Sequence, residues 1–334
     1  MIRIAVDAMG GDHAPRSIID GALAAARHSD LGLLLAGPIE TIRAELSRHS
    51  DADRYSIRIL DAPDVVSMEE APSAGLRRKP RASIRVAAES VASGEAAALV
   101  SAGHTGATVL SAHAAFGMLQ GADRPALAAT IPSGDRLGVL LDVGANIECR
   151  ATHLLQFAAM GAVYAKVSLG IERPRIGLLS IGEEESKGTE LIREAHRLLK
   201  VSALNFIGNV EAREVYKGNA DVIVCDGFTG NIALKVSEGL VDTVDRLLDE
   251  ELSRTFSGMV GSLLSRRAFR RFRRRLDYAE SGGATLLGVA GVCFVCHGRS
   301  SARAIRNAVL MAHRFTTADF LRRVESEIAT TAVS

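Results

Sequence analysis

Residues 226–235, Asp-Gly-Phe-Thr-Gly-Asn-Ile-Ala-Leu-Lys, bring an acid, two glycines, a hydroxyl, an amide and a lysine close together. That set suits the binding of an anion: backbone N–H groups, an amide and a hydroxyl donate hydrogen bonds, and an ammonium supplies charge. Just before it, Ala220–Cys225 is short and rich in β-branched residues, as in a strand buried on both faces of a parallel sheet. The expected arrangement is a strand, a glycine loop over 226–231 with Thr229 or Asn231 as helix cap, and a helix from Ile232. A strand, a loop and a helix N-terminus aim N–H groups and the positive end of the helix dipole at one point outside the sheet.

The pattern recurs along the chain. Ile2–Val6 reads as a strand running into Asp7-Ala8-Met9-Gly10-Gly11-Asp12-His13-Ala14-Pro15 and then a helix over Ser17–Arg27. Ala96–Val100 leads into Ser101-Ala102-Gly103-His104-Thr105-Gly106-Ala107, and Leu137–Leu141 into Asp142-Val143-Gly144-Ala145-Asn146 and a helix over Thr152–Leu169. Arg175–Ile181 precedes Gly182–Gly188 and a helix over Thr189–Lys200, and Leu204–Ile207 precedes Gly208-Asn209-Val210-Glu211-Ala212. Further strands are expected at Leu31–Ala36, Tyr55–Leu60 and Leu286–Cys296, and further helices at Ile39–Arg48, Ser83–Ser93 and Ala302–Glu327. Strands alternating with helices imply an α/β fold with a mostly parallel sheet between helical layers. In such a sheet the loops after the strands share one edge, so their polar side chains are expected to converge on one cleft.

Composition narrows the function classes. In 334 residues, 47% hydrophobic content and 31 glycines fit an ordinary α/β protein, while aromatics at 4% and a net charge of +1 argue against a nucleic-acid binder. The four cysteines are too few for a disulfide scaffold. Cys293 and Cys296 have CxxC spacing inside the apolar run 289–296, which favours buried strand cysteines over metal or redox chemistry. No signal-peptide pattern and no membrane-length apolar run is present, so a cytoplasmic location is expected. The common nucleotide motifs and paired metal-ligating histidines are absent, which leaves metal-free and cofactor-free chemistry on an anion as the expectation.

Two stretches break the rhythm. Glu69–Arg81 carries Arg77, Arg78, Lys79 and Arg81 and reads equally as a solvated basic loop or as a site for an anionic partner. The excursion 237–278, within a single domain 1–334, holds an amphipathic helix over Leu240–Leu252, an apolar stretch Phe256–Leu264, and arginines including Arg266, Arg267, Arg270, Arg271 and Arg274. Apolar side chains beside dense arginine suit a peripheral anchor on an anionic membrane, and equally a helix packing at a dimer interface.

The motifs DAMGGDHAP (7–15), SAGHTGA (101–107), Arg124-Pro125-Ala126, LDVGAN (141–146), Gly182–Gly188, GNVEA (208–212), DGFTGNIAL (226–234) and Gly282–Gly288 with His297-Gly298 follow one another in a familiar order. In this the chain resembles the acyl-acyl carrier protein:phosphate acyltransferases, the PlsX family, from its first strand to its last helix. His104 stands where that family usually has Asn. The resemblance implies a three-layer α/β/α fold similar to phosphotransacetylase and the isocitrate-dehydrogenase group, and a homodimer. It implies attack of inorganic phosphate on the thioester of long-chain acyl-acyl carrier protein, giving acyl phosphate and free carrier protein on the way to phosphatidic acid. It also implies substrate contacts from these motifs: Asp7, Gly10, Gly11, Gly103, Thr105, Gly106, Asp142, Asn146, Asn209, Glu211, Asp226, Gly227, Thr229, Gly230 and Gly283. Asn231 joins the donors to phosphate or oxyanion, with Lys187 and Lys235 as charge partners and His104 in a capacity its ring leaves open. His13, held by Asp7 or Asp12, is an acid/base candidate or a brace for its turn, with His297 a second candidate.

Overall fold

The computed structural model describes residues 1–276 and 282–332. Eleven strands form one sheet. They are β1 (Ile2–Asp7), β2 (Leu31–Gly37), β3 (Ile57–Asp61), β4 (Ala98–Ser101), β5 (Ala126–Ser133), β6 (Arg136–Leu141), β7 (Ile176–Ser180), β8 (Phe206–Glu211), β9 (Val222–Val224), β10 (Ala284–Leu287) and β11 (Val292–Val295). The lateral order is β3-β2-β1-β4-β11-β10-β5-β6-β9-β7-β8. The helices are α1 (Arg16–Ala26), α2 (Ile39–Leu46), α3 (Pro72–Arg78), α4 (Ser83–Ala92), α5 (Thr105–Phe116), α6 (Ala151–Tyr164), α7 (Glu190–Val201), α8 (Gly227–Ser253), α9 (Phe256–Leu276), α10 (Ala302–Thr317) and α11 (Phe320–Ala332).

Alternation along the buried strands divides the core between two helical layers. Ile4, Val6, Leu33 and Leu35 face one layer with α1, α6 and α10, whereas Ala5, Leu34 and Leu99 face the other with α4 and α5. The expected three-layer, mostly parallel architecture is present. Among the described residues no helix is long and apolar enough to cross a membrane.

One expectation about this sheet is overturned. β3, β2, β1, β4 and β11 run parallel, as do β6, β9, β7 and β8. Between the two sets lie three antiparallel pairings, β11 with β10, β10 with β5, and β5 with β6. An odd number of reversals turns the second set against the first. The loops after β1, β4 and β11 therefore leave one edge, and those after β6, β9 and β7 leave the opposite edge, so the loops do not all share one edge.

The strand β5 and the helix α5 were not among the expected elements, and boundaries differ elsewhere. The run 286–296 is the hairpin β10–β11 rather than one strand, because Gly288, at φ +80°, turns the chain where a Cβ would meet Arg124 O at 2.8 Å. Gly208–Glu211 continues β8 instead of forming a loop. The last helix is broken at Asp319, at φ +55°, into α10 and α11. The stretch 69–81 contains α3, with Lys79 paired to Glu70 at 2.8 Å and Arg81 paired to Asp61. Finally, α8 starts at Gly227 rather than Ile232 and runs unbroken through 240–252.

Candidate active site

On the edge shared by β1, β4 and β11, a buried carboxylate joins two loops. Asp7 ends β1; its Oδ1 accepts the N–H of Met9 at 3.3 Å and its Oδ2 the hydroxyl of Ser101 at 2.7 Å. Ser101 Oγ in turn accepts Gly103 N–H at 3.0 Å. Burial pushes the Asp7 carboxyl up, against the opposing pull of Ser83, Ser101, Met9 and Gly10. Gly10 is required by proximity: a Cβ there would lie 2.5 Å from Asp7 Oδ2 and 2.6 Å from Gly103 N. The third loop joins through Asp12, whose N–H donates to Gly298 O at 2.8 Å and whose carboxylate lies against Gly298.

These three loops feed α1, α5 and α10, whose N-termini face the same edge. His104 settles into the cap of α5, its Nδ1 accepting Gly106 N–H at 3.1 Å. An imidazole nitrogen thus fills the acceptor position that an Asn oxygen would occupy. Pro72 of α3 lies against Gly106, and Met68 against Gly298, so the segment before α4 also borders this cleft.

The fourth wall is α8. Arg299 reaches Asp242 at 3.5 Å, and Lys235 pairs with Glu238 at 2.8 Å. Half-buried His297 feels both: burial lowers its pKa first, then Lys235 and Arg299, while Glu238 and Asp12 raise it. The sum holds the ring neutral at pH 7, able to take a proton. His13 differs. Its ring is exposed and is held by neither expected carboxylate, since Asp7 is committed to Ser101 and Met9, and Asp12 to the Gly298 side.

The opposite edge uses the same motifs to close itself. Asp142, fully buried, accepts Leu127, Gly144 and Ala145 N–H on Oδ1, and Asn146 N–H and Nδ2 on Oδ2, at 2.7–3.1 Å. Asn146 also donates to Pro125 O at 2.5 Å. The start of α8 packs on this loop. Gly227 N–H donates to Asn146 O at 2.7 Å, a Cβ on Gly230 would overlap Asp142 O, and Asn231 lies against Gly144. Asp226, rather than Thr229 or Asn231, caps the helix, accepting Thr229 N–H at 2.8 Å and Thr229 Oγ1 at 2.7 Å. A carboxylate therefore stands where an anion was expected, and Phe228 N–H is the first-turn donor left without a chain partner among the described residues. Cys225 and Cys149 sit beside Asp142; burial pushes the Cys149 thiol up to about 11.

Of the remaining expected residues, Lys187 is exposed in the loop after β7, on this second edge. Asn209 bridges His196 Nδ1 and Glu184 O, both at 2.9 Å, and Glu211 pairs with Arg213. Gly283, at φ +83°, fits against Val295 O where a Cβ would clash. Arg266 and Arg267 are exposed on α9, whereas the side chains of Arg270, Arg271 and Arg274 lie outside the described residues. Glu238 and Asp242 were missed by the motif reading, although 235, 238 and 242 share one helical face, a periodicity visible in the sequence.

A family model described as "Fatty acid synthesis protein" matches residues 2–323. A phosphate acyltransferase from Pelotomaculum thermopropionicum is 47% identical over 327 residues, covering 98% of this chain and 95% of that protein. The chain belongs to the phosphate acyltransferase family. A second member, from Syntrophotalea carbinolica, is 50% identical over 311 residues, covering 93% and 89%. This membership makes the chain an acyltransferase of lipid synthesis. Among solved structures, a phosphotransacetylase from Streptococcus pyogenes superposes with TM-score 0.67 at 19% identity, covering 95% of this chain and 94% of that one. A 4-hydroxythreonine-4-phosphate dehydrogenase from Klebsiella pneumoniae gives 0.52 at 13% identity, with 94% and 99% covered. Both share the fold.

Proposed function

We propose that the chain transfers a long-chain acyl group from acyl-acyl carrier protein to inorganic phosphate, and that the reaction takes place on the β1–β4–β11 edge. The observation that carries this placement is the meeting of the β1–α1 and β11–α10 loops with α8, where Asp12, Arg299, Lys235 and Glu238 surround a half-buried His297 whose pKa is lowered by burial and by Lys235. Phosphate sits at the helix N-termini with Lys235 as its cation. One phosphate oxygen attacks the thioester carbonyl carbon, the carbonyl π pair moves to oxygen, and first-turn N–H groups hold that oxyanion. On collapse the C–S bond breaks and the electron pair leaves with sulfur. His297 takes the phosphate proton during attack and returns it to the departing thiolate. Holding the nucleophile in place supplies the remaining acceleration, so no covalent enzyme intermediate is needed.

The product would serve phosphatidic acid synthesis at a membrane. Exposed Phe228, Ile232, Val236, Leu240, Val244 and Leu247 along α8, with Met259, Leu263 and Leu264 on α9 beside Arg266 and Arg267, support peripheral association with an anionic bilayer, a homodimer contact, or both.

The test is acyl phosphate formation from palmitoyl-acyl carrier protein and inorganic phosphate with EDTA present and no nucleotide. Turnover is expected; carrier binding without turnover would replace the enzyme reading with a scaffold.

A further inference from the structure

Positions 235, 238 and 242 fall on one face of α8, and Arg299 touches that face at Asp242, 3.5 Å away. On it, Lys235 Nζ lies 2.8 Å from Glu238 Oε2, in a pair of unequal burial: the Glu238 side chain is 11% exposed and that of Lys235 is 55%. The helical pair Arg254–Glu251, with the same spacing, is 71% and 67% exposed and belongs to the solvated kind that contributes little. A carboxylate withdrawn from water as far as Glu238 needs a cation, and among the described residues Lys235 pairs with it. Ser237, the residue before Glu238, bonds with Tyr216, which fixes the rotation of the helix at this point.

We infer that Glu238 is a positioning residue of the acyl-transfer site: its carboxylate fixes the Lys235 ammonium against the His297–Arg299 loop, where the phosphate nucleophile needs its cation. A free lysine has a long flexible stem whose ordering opposes binding; a lysine already held meets phosphate in place. Glu238 also sets the charge around His297. The groups facing that ring are Lys235 and Glu238 from α8, Arg299 from its own loop and Asp12 from the β1–α1 loop. Two are cations and two anions, so losing Glu238 leaves Lys235 and Arg299 opposed only by Asp12. This inference rests on the proposed function for its catalytic meaning but not for its geometry.

The experiment is an NMR titration of the His297 ring in the full-length chain, wild type, Glu238→Gln and Lys235→Met, with His297→Asn to assign the signal. Phosphate kinetics are measured on the same proteins. Glu238→Gln is expected to move the His297 midpoint to lower pH and Lys235→Met to higher pH, and Glu238→Gln to raise the phosphate KM more than it lowers kcat. Glu238→Asp, a shorter carboxylate, should recover the charge effect and only part of the KM. An unmoved midpoint in Glu238→Gln, or shifts of the same sign in both variants, overturns the placement. Opposite shifts with unchanged kinetics in all variants keep the placement and remove His297 and Lys235 from the reaction.

Discussion

Asp7 and Asp142 occupy equivalent places at opposite edges of the sheet, each a buried carboxylate where a parallel strand gives way to a glycine loop. Asp142 is surrounded by five N–H donors of its own chain, and the helix that starts beside it is sealed by Asn146 O and the Asp226 cap. Asp7 braces its loops through the hydroxyls of Ser83 and Ser101 and the backbone, and leaves Lys235, His297 and three helix N-termini facing the cleft. The same local device therefore serves as a clamp at one edge and as a site at the other. Side-chain caps occur at both edges; what separates them is that the start of α8 packs on the Asp142 loop, whereas the loops at the other edge border Lys235 and His297.

Substitutions should separate the edges by what they damage. The largest effect is expected for Asp142→Ala. It strands five donors, three of them in buried bonds worth about 1–3 kcal/mol each when left unpaired, so the urea midpoint should fall by the equivalent of roughly 4 kcal/mol or more. An Asp142→Ala protein of normal stability would mean the clamp is not built as described.

On the other edge, His297→Gln should reduce kcat by about a hundredfold or more with an unchanged melting temperature. The wild-type pH profile supplies the sign. Burial and two cations lower the His297 pKa below the ordinary 6.5, so the ring stays neutral, and activity persists, to a pH below 6.5 before protonation removes the base. An acid limb centred above 6.5 would exclude His297 as that base. Next in size, Lys235→Met should raise the phosphate KM roughly ten- to hundredfold, as for loss of one charge-assisted hydrogen bond. Modification of Cys149 belongs to the closed edge: with its thiol pushed to about 11, alkylation at neutral pH should be slow and should accelerate with added base.

Most of the strands, the glycine-rich breaks after them and the long helical excursion were legible from apolar runs and breakers. The division of the loops between two edges was not, because it depends on an inserted antiparallel pair. Ala126–Ser133 carries Pro132 and little alternation, and 286–296 is so evenly apolar that its turn at Gly288 is hidden. At 227 and 230 glycine suggested a loop, but there it serves close packing against Asp142 and Asn146, a tertiary requirement with no local signature. His13 stood beside two acids in sequence and reaches neither; His297 gathers its charges from α8 and the first loop, far away in the chain.

The smallest expected effect concerns His104, at the boundary between scaffold and site. Its ring nitrogen accepts Gly106 N–H at the start of α5, so His104→Ala should lower stability by about 1 kcal/mol, the ordinary loss for an absent N-cap. His104→Asn restores an acceptor of similar reach and should recover most of that loss. Thermal unfolding of the three proteins, together with kcat, decides what the ring does. Recovery of both stability and turnover in the Asn variant assigns position 104 to holding the helix. Recovered stability with lost turnover assigns its remaining ring nitrogen to the substrate, and moves the limit of the open site one loop further along the edge.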